Sequence, residues 1–368
     1  MRAYIDGSTA IVLGALDAGC DFFAGYPITP ASPILMSLMR DLPRNGGVAV
    51  QGEDEIASIG MCIGAAMAGA RVMTATSGPG LSLYSENVGL AIMGEVPLVI
   101  VDVQRLGPAT GGATTVGQGD VQFVRWGTSG GFPIIALAPS TIAECYTLTM
   151  RAFDLAERFR TPVFLLTDKD LNLTMGTVDL AALVPVSVRE RVIETEPETM
   201  YTYHPPEAVP GMVRYGTGRP VRFTGSTHDE DAFITKDPDR VGALNRHLIE
   251  KIERHRAEIE FAVEDTVPGA ATLVVAYGVT AGAARTAVRR ARAASRAVSM
   301  LTLHTLWPVP ETVLERAMAG TRRVVVPELN PGLYCREIDR LAGDREVVSI
   351  GRIDGEPIDP GEILEALR

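Results

Sequence analysis

Four short stretches of this sequence set reactive side chains on backbone that cannot move freely. "GYPITPASP" at 25–33 places Tyr26 and Thr29 among three prolines, directly behind the apolar run "DFFA". Neither a helix nor a strand interior continues through Pro27, Pro30 and Pro33, because each lacks an N–H and its ring crowds the preceding turn. A hydroxyl held this stiffly can grip a small polar ligand; the ordinary alternative is that Thr29 bonds its own turn. "QGEDEIASIG" at 51–60 opens a helix with three carboxylates. Glu53 and Asp54 already complement the helix dipole, an effect of ~0.3–1 kcal/mol at a surface. Glu55 is then left for chemistry: the stripe Ile56, Ile59, Ile63 and Met67 sets this helix against a core, and Gly64 follows on the same helix. "SGPG" at 77–80 puts Ser77 and Gly78 where a strand runs into a helix, a position whose free N–H groups hold an anion or a polar ring. No Lys-Ser/Thr follows and G-x-G-x-x-G is not completed, so phosphate-loop and dinucleotide readings have little support. Arg105 ends the apolar strand "PLVIVDVQ", a place suited to bidentate recognition of a carboxylate. Asp120, in "GQGD", reads as the cap of the helix after it.

The elements that must position these residues alternate regularly. Ser8 caps a first helix that stops at Gly19, followed by the strand "DFFAGY" and the helix "ASPILMSLMRDL". Further strand–helix pairs follow through "GVAVQ", "RVMTAT", "PLVIVDVQ", "PIIALA" and "PVFLLTD". Repeated β–α units of this kind build a doubly wound parallel sheet, and ligands sit at the carboxyl ends of its strands. "GYPITP", "SGPG" and "QRLGPATGG" all fall at such ends. The first domain is thus expected over 1–185. A proline- and tyrosine-rich stretch and a charged helix make a connecting hairpin and linker helix over 186–268, and a smaller α/β domain occupies 269–368.

Composition narrows the classes. The chain has 368 residues, 46% hydrophobic and 21% charged, as an ordinary globular protein does. A formal net charge of -11 argues against nucleic-acid binding and against attraction to a membrane surface. No apolar run approaches the ~20 residues that cross a bilayer, and the N-terminus does not read as a signal peptide. Cys20, Cys62, Cys145 and Cys335 are scattered without a C-x-x-C pair, so no metal site is expected and reduced cysteines in a cytoplasmic protein are.

"GYPITPASP", "QGEDEIAS", "TSGPG" and "VQRLGPATG", in this order and at these separations, closely resemble the alpha subunit of the 2-oxoacid:ferredoxin oxidoreductases, most of all the 2-oxoglutarate type. "LHTLWPVP" and "IDGEP" carry the resemblance into the C-terminal part. Pro33 stands where a Glu is common, and "DKDLNLTMG" departs from the usual pattern. The resemblance implies an α/β chain: a thiamine diphosphate pyrimidine-binding domain, then a smaller transketolase C-terminal-like domain. It implies oxidative decarboxylation of a 2-oxoacid with coenzyme A to an acyl-CoA, CO₂ and reduced ferredoxin, or the reverse reaction. Glu55 would hydrogen-bond the cofactor's aminopyrimidine ring, with Ser77 and Gly78 beside the cofactor. Thr29 and Arg105 would hold the 2-oxoacid, with Tyr26 nearby. No "GDG" diphosphate motif occurs in the sequence. The resemblance therefore assigns Mg²⁺, the diphosphate and a [4Fe-4S] cluster to a beta-type partner subunit, with a separate gamma-type subunit besides. Two alternatives remain open: the same chemistry on a branched-chain, aryl or indolyl 2-oxoacid, and a non-catalytic scaffold subunit.

Overall fold

The apolar run at 98–104 forms the middle of the larger sheet, and all seven of its residues are buried. A strand covered on both faces needs no polar alternation, which is why the run reads as almost continuously hydrophobic. The structure is a computed structural model and describes residues 2–183, 185–196, 198–202, 204–205 and 207–368. Pro197, Tyr203 and Pro206 of the proline- and tyrosine-rich stretch lie outside the described residues, as do Met1 and Val184.

The first part of the chain runs β1 (Arg2–Ile5), α1 (Gly7–Asp17), β2 (Phe22–Gly25), α2 (Ser32–Asp41), β3 (Val48–Gln51), α3 (Glu55–Met67), β4 (Val72–Thr76), α4 (Gly78–Met93) and β5 (Leu98–Gln104). It continues with α5 (Val121–Trp126), β6 (Ile135–Leu137), α6 (Ile142–Phe159), β7 (Pro162–Asp168), α7 (Lys169–Leu173) and β8 (Gly176–Asp179). After an irregular stretch come α8 (Pro238–Glu253), α9 (Arg256–Ile259), β9 (Ala262–Asp265), β10 (Thr272–Ala276), α10 (Thr280–Ala293), β11 (Val298–Leu303) and β12 (Thr305–Trp307). The chain ends with α11 (Glu311–Met318), β13 (Arg323–Glu328), α12 (Cys335–Ala342), β14 (Glu346–Gly351) and α13 (Pro360–Ala366).

Seven strands make the larger sheet in the order β12-β6-β7-β5-β4-β2-β3, parallel except for the β12–β6 pair. Five strands make the smaller one, β14-β13-β10-β11-β9, parallel except for the β11–β9 pair. The α/β class expected from the alternating pattern is the class observed. Two strands cross between the expected segments. β12, from the C-terminal part, closes one edge of the larger sheet, and β9, from the connecting segment, joins the smaller one. Between 185 and 237 the described residues form isolated bridges, Ile193 with Met212 in parallel and His228 with Ile234 antiparallel, in place of a hairpin ladder.

Two local expectations are corrected. The first helix is capped by Asp6, whose carboxylate accepts from Thr9 N at 2.8 Å. Ser8 lies inside the first turn, and its hydroxyl donates to the Asn172 carbonyl at 3.0 Å. On α3, Ile56 is 51% exposed. Ile59, Ile63 and Met67 are buried as expected, and the stripe also takes in Glu55, Ser58, Cys62 and Ala66, because helical spacing from Glu55 reaches Ile59 and Cys62 and turns Ile56 outward.

Candidate active site

β2 pairs with β3 on one side and β4 on the other, so the winding of the sheet reverses beside β2. Loops leaving neighbouring strands diverge at such a point and open a crevice at their carboxyl ends. All four sequence motifs sit at this edge. "GYPITP" leaves β2, Glu55 opens α3 after β3, "SGPG" opens α4 after β4, and Arg105 follows β5.

Glu55 is the first residue of α3. Asp54 caps the helix, its carboxylate accepting from Ala57 N at 2.7 Å, which leaves the next carboxylate without a capping task. Glu55 is only 5% exposed and has no ion pair among the described residues. Its side chain fills the space beside Gly80: a Cβ there would stand 2.5 Å from Glu55 Oε1 and 2.1 Å from Thr76 Oγ1. The Thr76 and Ser77 hydroxyls are buried, and each lacks a hydrogen-bond partner. Buried polar groups are nearly always satisfied, so a buried acid with two unbonded hydroxyls around a glycine fits a polar ring that brings its own donors and acceptors.

Arg105 and Thr29 touch. Arg105 Nη1 donates to the Thr29 carbonyl at 2.5 Å, joining the loop after β2 to the end of β5. Thr29 itself is exposed, and its hydroxyl makes no hydrogen bond among the described residues, so the local turn bond is not formed. Arg105 is 5% exposed, with Nε unbonded. Tyr26 is 38% exposed and is joined to none of these groups by a hydrogen bond among the described residues.

Sequence reasoning missed a carboxyl pair. Asp102, within β5, is fully buried; its polar neighbours are the Gly78 backbone and the Asp120 carboxyl, and among the described residues no basic, amide or hydroxyl side chain donates to its oxygens or to Asp120 Oδ2. Asp120 stands at the cap position of α5 but its side chain does not cap, correcting the expectation. It is turned instead toward Asp102. Burial, then the neighbouring Asp120 charge, pushes the Asp102 carboxyl well above the carboxylate range. Burial also raises Asp120, to about 6, against the opposing pull of the Asp102 hydrogen bond and of Arg105. The backbone around Asp120 is fixed from two sides. Gln104 Oε1 accepts from Asp120 N at 3.2 Å. Gln118 N and Oε1 exchange bonds with the Leu329 O and N at 2.9 and 3.0 Å, tying this loop to the end of β13. The available signal was an acid inside an otherwise apolar strand.

A cleft of about 850 Å³ lies between the α4 head, the loop after β5 and the loop after β13. Ser82, Arg105, Asp120 and Asn330 supply its polar side chains, while Leu106, Pro108, Phe123, Leu329, Leu333 and Ile353 are among its apolar ones. Glu55, Thr29, Tyr26 and Ser77 do not line it. Among the described residues no group of three His, Cys, Asp or Glu side chains is placed to hold a metal.

The chain matches a known family. Residues 13–245 match the family described as "Pyruvate flavodoxin/ferredoxin oxidoreductase, thiamine diP-bdg", and residues 270–363 match "Pyruvate:ferredoxin oxidoreductase core domain II". The 2-oxoglutarate synthase subunit KorA of Methanothermobacter thermautotrophicus is 41% identical over 99% of this chain and 97% of its own length. The ketoisovalerate oxidoreductase subunit VorB of the same organism is 37% identical over 99% and 96%. The solved 2-oxoglutarate:ferredoxin oxidoreductase from Magnetococcus marinus, with 2-oxoglutarate, coenzyme A and succinyl-CoA bound, superposes with a TM-score of 0.93 at 30% identity. That match covers all of this chain and 64% of the longer one.

Proposed function

This chain belongs to the pyruvate flavodoxin/ferredoxin oxidoreductase family, and from that premise we propose that it is the alpha-type subunit of a 2-oxoglutarate:ferredoxin oxidoreductase. The reaction is oxidative decarboxylation of the 2-oxoacid with coenzyme A, giving the acyl-CoA, CO₂ and reduced ferredoxin. The KorA relative and the Magnetococcus structure support 2-oxoglutarate as the acid. The catalytic centre is completed by a beta-type subunit that brings the Mg²⁺–diphosphate site and the iron–sulfur cluster, with a separate gamma-type subunit in the assembly. The observation that carries the reading is the buried, unpaired Glu55 against Gly80, beside the unbonded Thr76 and Ser77 hydroxyls.

Thiamine diphosphate, when bound, supplies a carbanion at its thiazolium ring, chemistry no side chain provides. The chain's own residues bind and orient. Glu55, buried at the head of α3, would hold a pyrimidine nitrogen of the cofactor through its carboxyl and serve as the proton-transfer partner there. Ser77 and Gly78 would lie beside the same ring. Arg105 pairs with the substrate carboxylate as a planar fork, and the bond from its Nη1 to the Thr29 carbonyl sets the plane of that fork. Thr29, fixed between prolines and with its hydroxyl uncommitted, hydrogen-bonds the 2-oxo group, so little positional freedom is lost on reaction. Tyr26 borders the acid from the same loop.

A second reading, a branched-chain 2-oxoacid, draws on the apolar cleft wall and on the VorB relative. Steady-state reduction of ferredoxin by the purified complex, with coenzyme A and a panel of 2-oxoacids, separates the two. Preference for 2-oxoglutarate supports the first reading, preference for 2-oxoisovalerate the second, and no turnover with any acid would overturn both.

A further inference from the structure

Around the end of β5, Asp102 and Arg105 are buried and Asp120 is half-buried; the Asp102 oxygens, Asp120 Oδ2 and Arg105 Nε are shut off from solvent, and the two carboxyls and the guanidinium act on one another. Such atoms lose water on folding and must be compensated. Arg105 is the charged group close enough to act on both acids. The other charged groups on surrounding elements are committed elsewhere. Asp168, ending β7, accepts from Leu171 N and Val279 N. Glu328, ending β13, accepts from Tyr277, Asn330, Tyr334 and Cys335. Glu55, heading α3, faces Gly80.

Two carboxyls this close, one of them fully buried, do not both ionise readily, so the pair holds one proton between them. The pair then carries one negative charge, which the Arg105 guanidinium balances. Asp120 and Arg105 both line the cleft, so an acid anion entering there adds a second negative charge to a balanced site.

We propose that Asp102 and Asp120 form a proton-sharing pair behind Arg105 that takes up a further proton from solvent when an anionic 2-oxoacid enters the cleft. This rests on the reading of Arg105 as the partner of the substrate carboxylate. Uptake removes the competing charge, so Arg105 is released to the incoming acid without leaving an unbalanced anion buried. Both acids are therefore positioning residues: they act on substrate through Arg105. The sign of the pH effect follows. Anion affinity is highest where the pair is readily protonated and falls as pH rises above about 6, the range to which Asp120 is raised. The fall is at most about tenfold per pH unit for one linked proton.

The test is calorimetric titration of 2-oxoglutarate into the assembled complex, in two buffers of different ionisation heat, because their difference counts protons. Wild-type complex is expected to take up a substantial fraction of a proton per 2-oxoglutarate bound. Asp120→Asn leaves only Asp102, which stays neutral, so that variant is expected to take up none and to show a KM for 2-oxoglutarate that no longer rises with pH. Asp102→Asn serves as the second variant and is expected to show a smaller uptake, carried by Asp120 alone. Equal uptake in wild type and Asp120→Asn would place the proton elsewhere and overturn the pair. Zero uptake by a wild-type complex that turns over 2-oxoglutarate would overturn it too, while leaving the function intact. Failure to bind or turn over any 2-oxoacid would overturn both.

Discussion

Glu55 and Gly80 compete for one volume: a Cβ on Gly80 would stand 2.5 Å from Glu55 Oε1 and 2.9 Å from its Cγ. The second glycine of "SGPG" is thus the residue that lets the acid at the head of α3 lie against the first turn of α4. Gly80→Ala should lower the stability of the chain by about 1–3 kcal/mol, the usual result of overpacking. It should also weaken thiamine diphosphate binding by the complex, because Glu55 and Thr76 must both move. Thermal unfolding and cofactor titration check the two effects separately. Unchanged cofactor affinity would show that Glu55 does not face the ring.

Glu55→Gln keeps the volume and a donor but cannot exchange a proton. The complex should assemble normally and lose more than ~10²-fold in kcat, the scale of a positioned proton-transfer group. Glu53→Gln, outside the buried stripe, should be nearly silent. Size-exclusion chromatography and kcat measured side by side decide it, and equal losses from both variants would point to the wrong carboxylate.

Arg105→Lys removes the planar fork and the bond to the Thr29 carbonyl while keeping the charge. The expected cost is about 2 kcal/mol in kcat/KM, roughly thirtyfold, from losing part of a charge-assisted pair. Thiamine diphosphate affinity should change far less. If kcat/KM is unchanged for every 2-oxoacid tried, Arg105 has only a structural task.

The isolated chain should bind thiamine diphosphate weakly, and addition of the beta-type subunit with Mg²⁺ should raise the affinity by orders of magnitude. Tight binding to the isolated chain in calorimetry would contradict the division of the cofactor between subunits.

Away from the site, Glu95 is buried with Lys251 Nζ at 2.9 Å and His247 Nε2 at 2.6 Å from its Oε1. Burial alone would raise its pKa, but Lys251, then His247 and Arg160, hold it well below the carboxylate range. A carboxylate whose folded pKa is depressed stabilises the protein above its unfolded value and loses that contribution only as pH falls through the folded value. This pin between the α4–β5 turn and α8 should therefore persist through mild acid. Glu95→Ala should cost about 3–5 kcal/mol, as expected when one partner of a buried pair is removed. Urea denaturation at neutral pH reads the difference; a loss below about 1 kcal/mol would mean water replaces the carboxylate.

The candidate site was legible wherever a single short stretch fixes both residue type and position. "GYPITP" declares a rigid hydroxyl, and Glu53 and Asp54 supply the helix dipole with charge enough to leave Glu55 over. "VQR" sets a cation at the end of an apolar strand, where parallel sheets present their ligands. Local rules suffice there, since turn chemistry, helix caps and strand ends depend on neighbours in the chain. Ile56 shows their limit: an apolar residue on an apolar helix is turned out once the buried stripe is set by Glu55.

Tertiary structure alone decided the Asp102–Asp120 pair, the Gln118–Leu329 bonds and the place of β12. Asp102 reads as one odd letter in a hydrophobic strand, and Asp120 as a helix cap. They meet because Asp120 lies on the loop that leaves β5, and because Gln118 anchors that loop to a residue 211 positions away. β12 pairs antiparallel with β6, closing an edge of the larger sheet with residues from beyond the smaller sheet's β11. The sequence by itself determined which groups are available and on which element each begins. Their pairing was settled by long-range packing, because a buried charge finds its partner through the space the folded sheets enclose and not through its distance along the chain.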